Sequence, residues 1–129
     1  MPLTRIDMPR GKSAEYRATL RDVVYQTLNE VAGVPDDDRH EVLTEHDPES
    51  LHIAPSFLGV KRSADALLIQ ITFNAGRTVE QKQAFYAALV TGLEQRLGLD
   101  PADVTINLLE VAPENWSFGH GRAQYIEGD

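Results

Sequence analysis

Hydrophobic positions follow the same succession of spacings twice along this chain. Two stretches carry apolar residues at i, i+3 and i+4, which predicts amphipathic helices: Tyr16, Leu20, Val23, Val24, Leu28 and Val31, then Phe85, Ala88, Leu89, Leu93 and Leu97. Short apolar runs flank both stretches and predict strands: "PLTRIDM" and "HEVLTEH" around the first, "ALLIQITF" and "VTINLLEV" around the second. Each half of the chain is therefore predicted to fold as strand, helix, strand.

The two halves align without a gap when the chain is shifted by 65 residues. Residues 6–45 then lie over residues 71–110 with eight identities, and glycine precedes and follows each predicted helix, at Gly11, Gly33, Gly76 and Gly98. Ser13 and Thr78 are the predicted N-caps, because a side-chain oxygen there can accept a hydrogen bond from the first helical turn. The chain is interpreted as two copies of one βαβ unit.

Two βαβ units with right-handed crossovers predict an α/β (α+β) fold, a four-stranded sheet with both helices on one face. The 129 residues are assigned to one domain: repeat one at about 2–46, a linker at about 47–65, repeat two at about 66–111 and a C-terminal arm at about 112–129. The linker is expected to be irregular with one short extended piece. The glycine-rich arm is expected to form a hairpin or to reach a neighbouring subunit.

The strands look apolar on both sides, since Leu68 alternates with Ile69 and Leu108 adjoins Leu109. The sheet face without helices is therefore predicted to be covered by other subunits.

Composition removes several classes of function. The chain has no cysteine, which excludes disulfides, thiolate nucleophiles and thiolate metal sites. A formal net charge of −8 disfavours nucleic acid and anionic membranes as partners. No apolar run approaches a membrane span and no signal peptide is apparent, so a cytoplasmic location is expected. The four histidines lack metal-ligand spacing, and neither a metal nor a cofactor is expected.

The opening stretch "MPLTRIDMPR" places proline directly after the first methionine. Proline is tolerated at the first residue of a strand, because no ladder hydrogen bond is needed there. A chemical interpretation also exists. Removal of Met1 would expose the secondary amine of Pro2, which is a nucleophile and a base on a rigid ring.

Further motifs carry a resemblance. Pro2 opening a strand, two fused βαβ units and "AGRT" before the second helix resemble the tautomerase superfamily. "NWSFGHGRAQYIEGD", "GVPDDDR" and "GRTVEQKQ" resemble its malonate semialdehyde decarboxylases. This resemblance implies a homotrimer without cofactor, in which Pro2, freed of Met1, lies in a pocket between subunits and acts on a small anionic oxo acid.

The resemblance also implies roles for individual residues. Pro2 matches the catalytic amine, Asp38 its acidic partner and Arg77 a substrate-binding arginine. Trp116 matches a tryptophan of the pocket wall, and the substrate-binding set is completed by Asn74 and Phe118. A second arginine, expected two residues before Arg77, is absent from "FNAGR", which puts the substrate in doubt more than the reaction class.

Decarboxylation of a 3-oxo acid such as malonate semialdehyde needs a cation for the carboxylate and a group that stabilises the developing enolate. Arg77 suits the first need, and its place before a helix predicts free N–H groups that reinforce an anion site. Pro2 suits the second, as an ammonium donor or as a Schiff-base nucleophile. Asp38 would favour the charged amine, and hence decarboxylation or hydration over tautomerisation.

Alternatives stay open at this point. The chain could be a keto–enol tautomerase of 2-oxo acids, a hydratase or dehalogenase of 3-haloacrylates, or a binding protein without chemistry. Asp38 has a repeat mate in Asp103, so both could satisfy turn amides. Arg77 likewise has a cationic mate in Lys12, Trp116 could be packing, and Arg122 and Tyr125 are expected at an interface.

Overall fold

A computed structural model describes residues 1–127 of the chain. Its elements in chain order are β1 (Leu3–Pro9), α1 (Ala14–Ala32), β2 (Glu41–His46), β3 (Ser56–Phe57), β4 (Val60–Lys61), β5 (Leu67–Asn74), α2 (Val79–Leu97), β6 (Val104–Val111) and α3 (Gln124–Glu127). The main sheet has the order β2-β1-β5-β6. Strands are parallel within each repeat and antiparallel where β1 meets β5. The predicted mixed fold with one four-stranded sheet is confirmed.

Both long helices begin and end as the sequence predicts. Ser13 Oγ accepts a hydrogen bond from the Tyr16 amide at 3.0 Å, and Thr78 Oγ1 accepts one from the Gln81 amide at 3.1 Å. Gly33 and Gly98 close the helices with φ of 72° and 67°, a left-handed conformation that glycine adopts at little cost. The two helices are therefore delimited by the same chemistry, 65 residues apart.

One hydrophobic core lies between the helices and the sheet. Alternate residues of β1 and β5 are buried there, among them Ile6, Met8, Ile69, Ile71 and Phe73. The helices contribute Leu20, Val24 and Leu28 and their repeat mates Phe85, Leu89 and Leu93. Because side chains of a strand alternate between faces, this core accounts for only half of the strand residues.

The opposite sheet face is mixed rather than apolar, and the prediction of an apolar face is wrong in this respect. Gln70 Nε2 donates to Asn107 Oδ1 at 3.0 Å, and His46 Nε2 lies 2.7 Å from Asp7 Oδ1. Leu109 is 42% exposed on the same side. The apolar pairs in the sequence misled because adjacent residues such as Leu108 and Leu109 point to opposite faces.

The segments after β2 and after β6 begin alike. Single 3₁₀ turns span Pro48–Ser50 and Pro113–Asn115, again 65 residues apart. Beyond them the segments differ: the first forms the β3–β4 hairpin, and the second turns into α3. The hairpin predicted for the arm is therefore found in the linker instead. Gly128 and Asp129 of the predicted arm lie outside the described residues.

No helix within residues 1–127 combines the length and the apolar character needed to cross a membrane.

Candidate active site

An amine and a carboxylate meet where the chain begins. The Met1 ammonium lies 3.4 Å from Asp38 Oδ2, and the Asp38 side chain is only 17% exposed. The Asp38 amide donates to the Pro35 carbonyl at 3.1 Å, which fixes the turn between α1 and β2. His40 approaches from the start of β2, with Nδ1 at 3.5 Å from Asp38 Oδ1. A cation in this position is stabilised by the neighbouring carboxylate.

Pro2 is buried on the helix side of the sheet. It precedes β1 and shares the orientation of Thr4 and Ile6, which are buried on that side. The antiparallel register pairs Leu3 with Thr72, so Pro2 lies opposite Phe73 one residue further along. Pro2 therefore follows the residue that meets Asp38 in the turn between α1 and β2, and it lies beside the end of β5.

Arg77 lies at that same end of β5. Its guanidinium carbon is 4.4 Å from the centre of the Phe73 ring, a cation–π arrangement. Nη2 donates to the Ala32 carbonyl at 2.7 Å and Nη1 to the Asn74 carbonyl at 3.3 Å. Burial lowers the pKa of Arg77 from its ordinary value, and the charge of Glu110 partly opposes this shift.

Carbonyl oxygens hold the Arg77 guanidinium without neutralising it. Within residues 1–127 it forms no ion pair with a carboxylate closer than 4.0 Å, so its charge is available to an anion. A cavity of about 440 Å³ opens beside it, lined by Phe73, Gly76 and Phe85 among others.

Two amides just before α2 already donate to side chains of the protein. The Gly76 amide donates to Glu110 Oε2 at 3.2 Å, and the Thr78 amide donates to Gln81 Oε1 at 2.8 Å. Both amides thus already have side-chain acceptors, and the acceptor at Gly76 is the carboxylate of Glu110. The guanidinium of Arg77, by contrast, has only carbonyl oxygens as its hydrogen-bond partners in the described part of the chain.

Aromatic residues of the arm close the other side. Trp116 Nε1 donates to Asn74 Oδ1 at 2.8 Å, which ties the arm to the end of β5. Phe118 stacks on Trp116 with ring centres 5.6 Å apart, and Tyr125 meets Phe118 edge-on at 5.3 Å. Asn74 therefore contacts both the arginine and the aromatic wall, because its carbonyl accepts a hydrogen bond from Arg77 and its side chain accepts one from Trp116.

A hollow of about 320 Å³ lies between this aromatic wall and Asp38, lined by Met1, Pro35, Asp37, Asp38, His40, Phe118 and Tyr125. The structure thus brings Asp38 and Phe118 together, whereas Arg77 lines the separate cavity on the helix side. Pro2 lies in neither lining, and Asn74 connects the two regions through its bonds with Arg77 and Trp116.

Sequence reasoning missed two residues of this hollow. Tyr125, expected at an interface, packs within its own chain, and partial burial followed by the charge of Asp38 raises its pKa. Arg122 also finds a partner in its own chain, with Nε at 3.7 Å from Glu127 Oε1. His40 was given no role at the site from the sequence. Its position two residues after Asp38, where extended backbone returns side chains to one side, was an available signal.

No metal centre is formed in the part of the chain that the structure describes, where no three His, Cys, Asp or Glu side chains converge. The chemistry available from these residues is an amine beside a carboxylate, one guanidinium, and a wall of aromatic side chains.

Known proteins share this sequence pattern. A family model described as tautomerase enzyme matches residues 38–119, and a second with the same description matches residues 2–61. The chain is 34% identical to "Probable tautomerase YusQ" of Bacillus subtilis (strain 168), over 98% of this chain and 100% of that protein. It is 32% identical to "Probable tautomerase YrdN" of the same strain, over 99% of this chain and 98% of that protein.

Solved structures share the fold. FG41 malonate semialdehyde decarboxylase inhibited by 3-bromopropiolate superposes with a TM-score of 0.90 at 40% identity, covering 98% of this chain and 95% of that one. Another malonate semialdehyde decarboxylase, described with decarboxylase and hydratase activities, gives a TM-score of 0.90 at 32% identity over 98% and 97%. A fused 4-OT described as a symmetric trimer gives 0.80 at 23% identity over 98% and 99%, a likeness of fold.

Proposed function

This chain belongs to the tautomerase superfamily, with the malonate semialdehyde decarboxylase-like fold that its motifs predicted, and we propose that it is a cofactor-free decarboxylase of a small 3-oxo acid such as malonate semialdehyde. In this proposal the working protein begins at Pro2. The Pro2 amine, Asp38 and Arg77 carry the reaction, while Asn74, Trp116 and Phe118 line the substrate site.

The observation that carries the proposal is the contact between the chain's first amine and Asp38. An ammonium already lies 3.4 Å from this carboxylate, in a place that is mostly shielded from water. Once Met1 is removed, the Pro2 nitrogen becomes the nearest amine, and the carboxylate raises its pKa by stabilising the charged form. A cationic Pro2 at neutral pH is a poor base and a good hydrogen-bond donor.

The proposed reaction uses two cations, and it requires one substrate to reach both the cavity that Arg77 lines and the hollow at Asp38. Arg77 binds the substrate carboxylate, and the Pro2 ammonium donates a hydrogen bond to the carbonyl oxygen at carbon 3. The bond between carbon 1 and carbon 2 breaks, carbon dioxide leaves, and the electron pair passes to the carbonyl oxygen as an enolate. A proton added at carbon 2 gives the aldehyde. Preorganised donors aimed at the developing oxyanion are the main source of rate enhancement in such sites.

A Schiff base is the alternative electron sink. Neutral Pro2 would attack carbon 3 and expel water, and the resulting iminium would accept the electrons of the breaking bond. The two routes are distinguished by reduction with sodium cyanoborohydride during turnover. Trapping of a substrate-derived mass on the N-terminal peptide supports the iminium, and its absence during full turnover supports the ammonium.

Keto–enol tautomerisation of 2-oxo acids is the second candidate, and the names of the curated relatives from Bacillus subtilis favour it. It needs Pro2 as a neutral base, which the carboxylate at Asp38 opposes. Hydration or dehalogenation of 3-haloacrylates would use the same residues with Asp38 activating water. The presence of a single arginine favours this hydration less, because polarising an acrylate for attack by water requires strong binding of its carboxylate.

We also propose that the chain assembles as a homotrimer. The family contains fused proteins described as trimers, and the sheet face opposite the helices carries exposed Val42 and Leu109 among polar groups. Light scattering at micromolar concentration should give about three times the chain mass of 14.3 kDa, and a monomer would contradict the assembly.

The deciding experiment combines a substrate panel with mass analysis of the mature N-terminus. Malonate semialdehyde, phenylenolpyruvate and 3-chloroacrylate are assayed with protein whose first residue is known. We expect carbon dioxide from the first substrate at the highest kcat/KM, and only from protein that begins at Pro2. Pro2→Ala should keep a small activity through its primary amine. Equal turnover by protein that retains Met1 would refute the mechanism.

A further inference from the structure

The 65-residue repeat continues through the linker and the arm, and it gives the candidate site a counterpart at the other end of the molecule. Trp116 and Phe118 have Leu51 and Ile53 as their repeat mates. These residues follow the matching 3₁₀ turns Pro48–Ser50 and Pro113–Asn115. The segments that cover the two ends of the sheet are therefore equivalent in the repeat.

A cavity of about 280 Å³ lies at this second end. It is lined by Leu51 and Ile53, by Pro9, the mate of Asn74, and by Ala66, the mate of Met1. Its volume is close to the 320 Å³ of the hollow at Asp38. The two pockets are of similar volume and share two pairs of repeat mates, Met1 with Ala66 and Phe118 with Ile53.

The second pocket lacks the groups that the proposed chemistry requires. Ala66 lies inside the chain, and its amide donates to the Ser63 carbonyl at 3.3 Å. Asp103, the mate of Asp38, is buried and accepts hydrogen bonds from the Ser63 amide at 2.7 Å and the Ser63 hydroxyl at 2.5 Å. With no amine and no available carboxylate, this pocket has no catalytic role in decarboxylation.

The pocket does contain one guanidinium, that of Arg62, which a backbone carbonyl holds in place. Arg62 lines it, and Nη1 donates to the Ala54 carbonyl at 2.8 Å. Among residues 1–127, Arg62 makes no ion pair within 4.0 Å, and its buried Nε has no hydrogen-bond partner. Arg77 in the other repeat is anchored in the same way, by carbonyl oxygens and not by an acid. A shielded guanidinium without a counter-charge gains from a bound anion.

We propose that this pocket is a second, non-catalytic binding site for a small aliphatic carboxylate. The guanidinium of Arg62 binds the carboxylate group, and Pro9, Leu51 and Ile53 contact the short carbon chain. The lining also contains His52 and Ser63, but one guanidinium among mainly apolar side chains suits a monocarboxylate of a few carbons better than a multiply charged anion. The site goes beyond the proposed function, because it uses none of the residues assigned to the reaction.

Propionate is the probe, because it has the carboxylate and the carbon chain but no carbonyl to react. In amide NMR spectra of the intact protein, propionate should shift the Ser63 and Ala66 signals saturably, with a dissociation constant in the millimolar range. Arg62→Gln, which removes the charge but keeps a polar amide, should weaken this binding at least tenfold. Arg77→Gln should leave these two shifts unchanged.

Propionamide separates specific binding from apolar association without any variant. It has the same shape without the charge, and it should cause no saturable shift at Ser63 or Ala66. Equal shifts with propionamide, or shifts that persist in Arg62→Gln, would overturn the proposal. Spectra in which neither signal moves with propionate at concentrations well above the millimolar range would also overturn it.

Discussion

Asp38 and Asp103 occupy the same position in the two repeats and have different surroundings. Asp103 is 2% exposed and is bonded to the backbone and hydroxyl of Ser63, so it joins the linker to the start of β6. Asp38 faces an ammonium and a histidine ring at the edge of an open hollow. Hence a single repeated aspartate supports the structure in one half and remains available to a ligand or an amine in the other.

This contrast bears on the structural alternative for Asp38. Satisfying turn amides describes Asp103, whose carboxylate accepts a hydrogen bond from the Ser63 amide, whereas the Asp38 carboxylate lies beside the Met1 ammonium and the His40 ring. Both repeats keep an aspartate in the turn between helix and strand. The segment that packs against it, the linker at Asp103 and the chain start at Asp38, determines the contacts of the carboxylate. The predictions below separate the two ends, from the largest expected effect to the smallest.

Asp38→Asn is expected to have the largest effect on activity. Without the carboxylate, the pKa of the Pro2 amine falls, and decarboxylation should decrease about 100-fold or more, the scale of a lost acid–base group. Any tautomerase activity should persist or rise. Steady-state kinetics and NMR titration of the N-terminal amine measure both. An unchanged amine pKa would mean that Asp38 is a turn residue like its mate.

Asp103→Asn should show the reverse pattern. Replacing a buried acceptor of two hydrogen bonds leaves donors unsatisfied and should lower the free energy of unfolding by about 2–3 kcal/mol. The kcat of the protein that remains folded should be close to that of the unmodified chain. Urea unfolding and active-site titration check the two halves of this expectation. A loss of kcat without destabilisation would abolish the contrast with Asp38.

Arg77→Ala is expected to raise KM and lower kcat, together costing about 3 kcal/mol in kcat/KM, since it removes a shielded carboxylate contact. The matched control is Lys12→Ala, because Lys12 is the repeat mate and pairs with Asp65 at 3.5 Å on the surface. That variant should change kcat/KM less than twofold. Equal losses in both variants would mean that the cations serve the fold.

Gly33→Ala and Gly98→Ala test a feature that the two repeats share. Both glycines have positive φ near 70°, and open space surrounds the position of an added Cβ. The cost is therefore conformational, about 1–2 kcal/mol of unfolding free energy for each. Thermal or urea unfolding should give similar losses for the two variants. A much larger loss at one end would show that the helix ends are not equivalent.

Glu110→Gln should have the smallest effect, visible as a change with pH. Hydrogen bonds from Lys82 and the Gly76 amide hold the pKa of Glu110 below its ordinary value. Its contribution to stability is thus present above about pH 4.5 and is lost as the pH falls through the lowered folded-state pKa. The variant should be less stable near neutrality and equal in acid. Glu114→Gln, an exposed carboxylate in the following turn, should show no such convergence.

The sequence determined the local elements of this protein. Periodicity placed both helices, and the caps at Ser13, Thr78, Gly33 and Gly98 fixed their ends, because capping depends on side chains within four residues. The four-stranded sheet followed from the repeat and the handedness of crossovers. Motifs predicted roles for the start of the chain, Asp38 and Arg77; the structure places the first amine beside Asp38 and places Arg77 at a separate cavity.

Only the tertiary structure decided which groups meet. Ser63 donates two hydrogen bonds to Asp103 from 40 residues away, and Glu110 on the neighbouring strand accepts one from the Gly76 amide, so spacing along the chain showed neither contact. Tyr125 reaches the hollow because the arm folds back over β5, held by the bond from Trp116 to Asn74. Local sequence is similar in the two repeats and does not determine their long-range contacts. Packing of distant segments therefore surrounds the two aspartates with different groups.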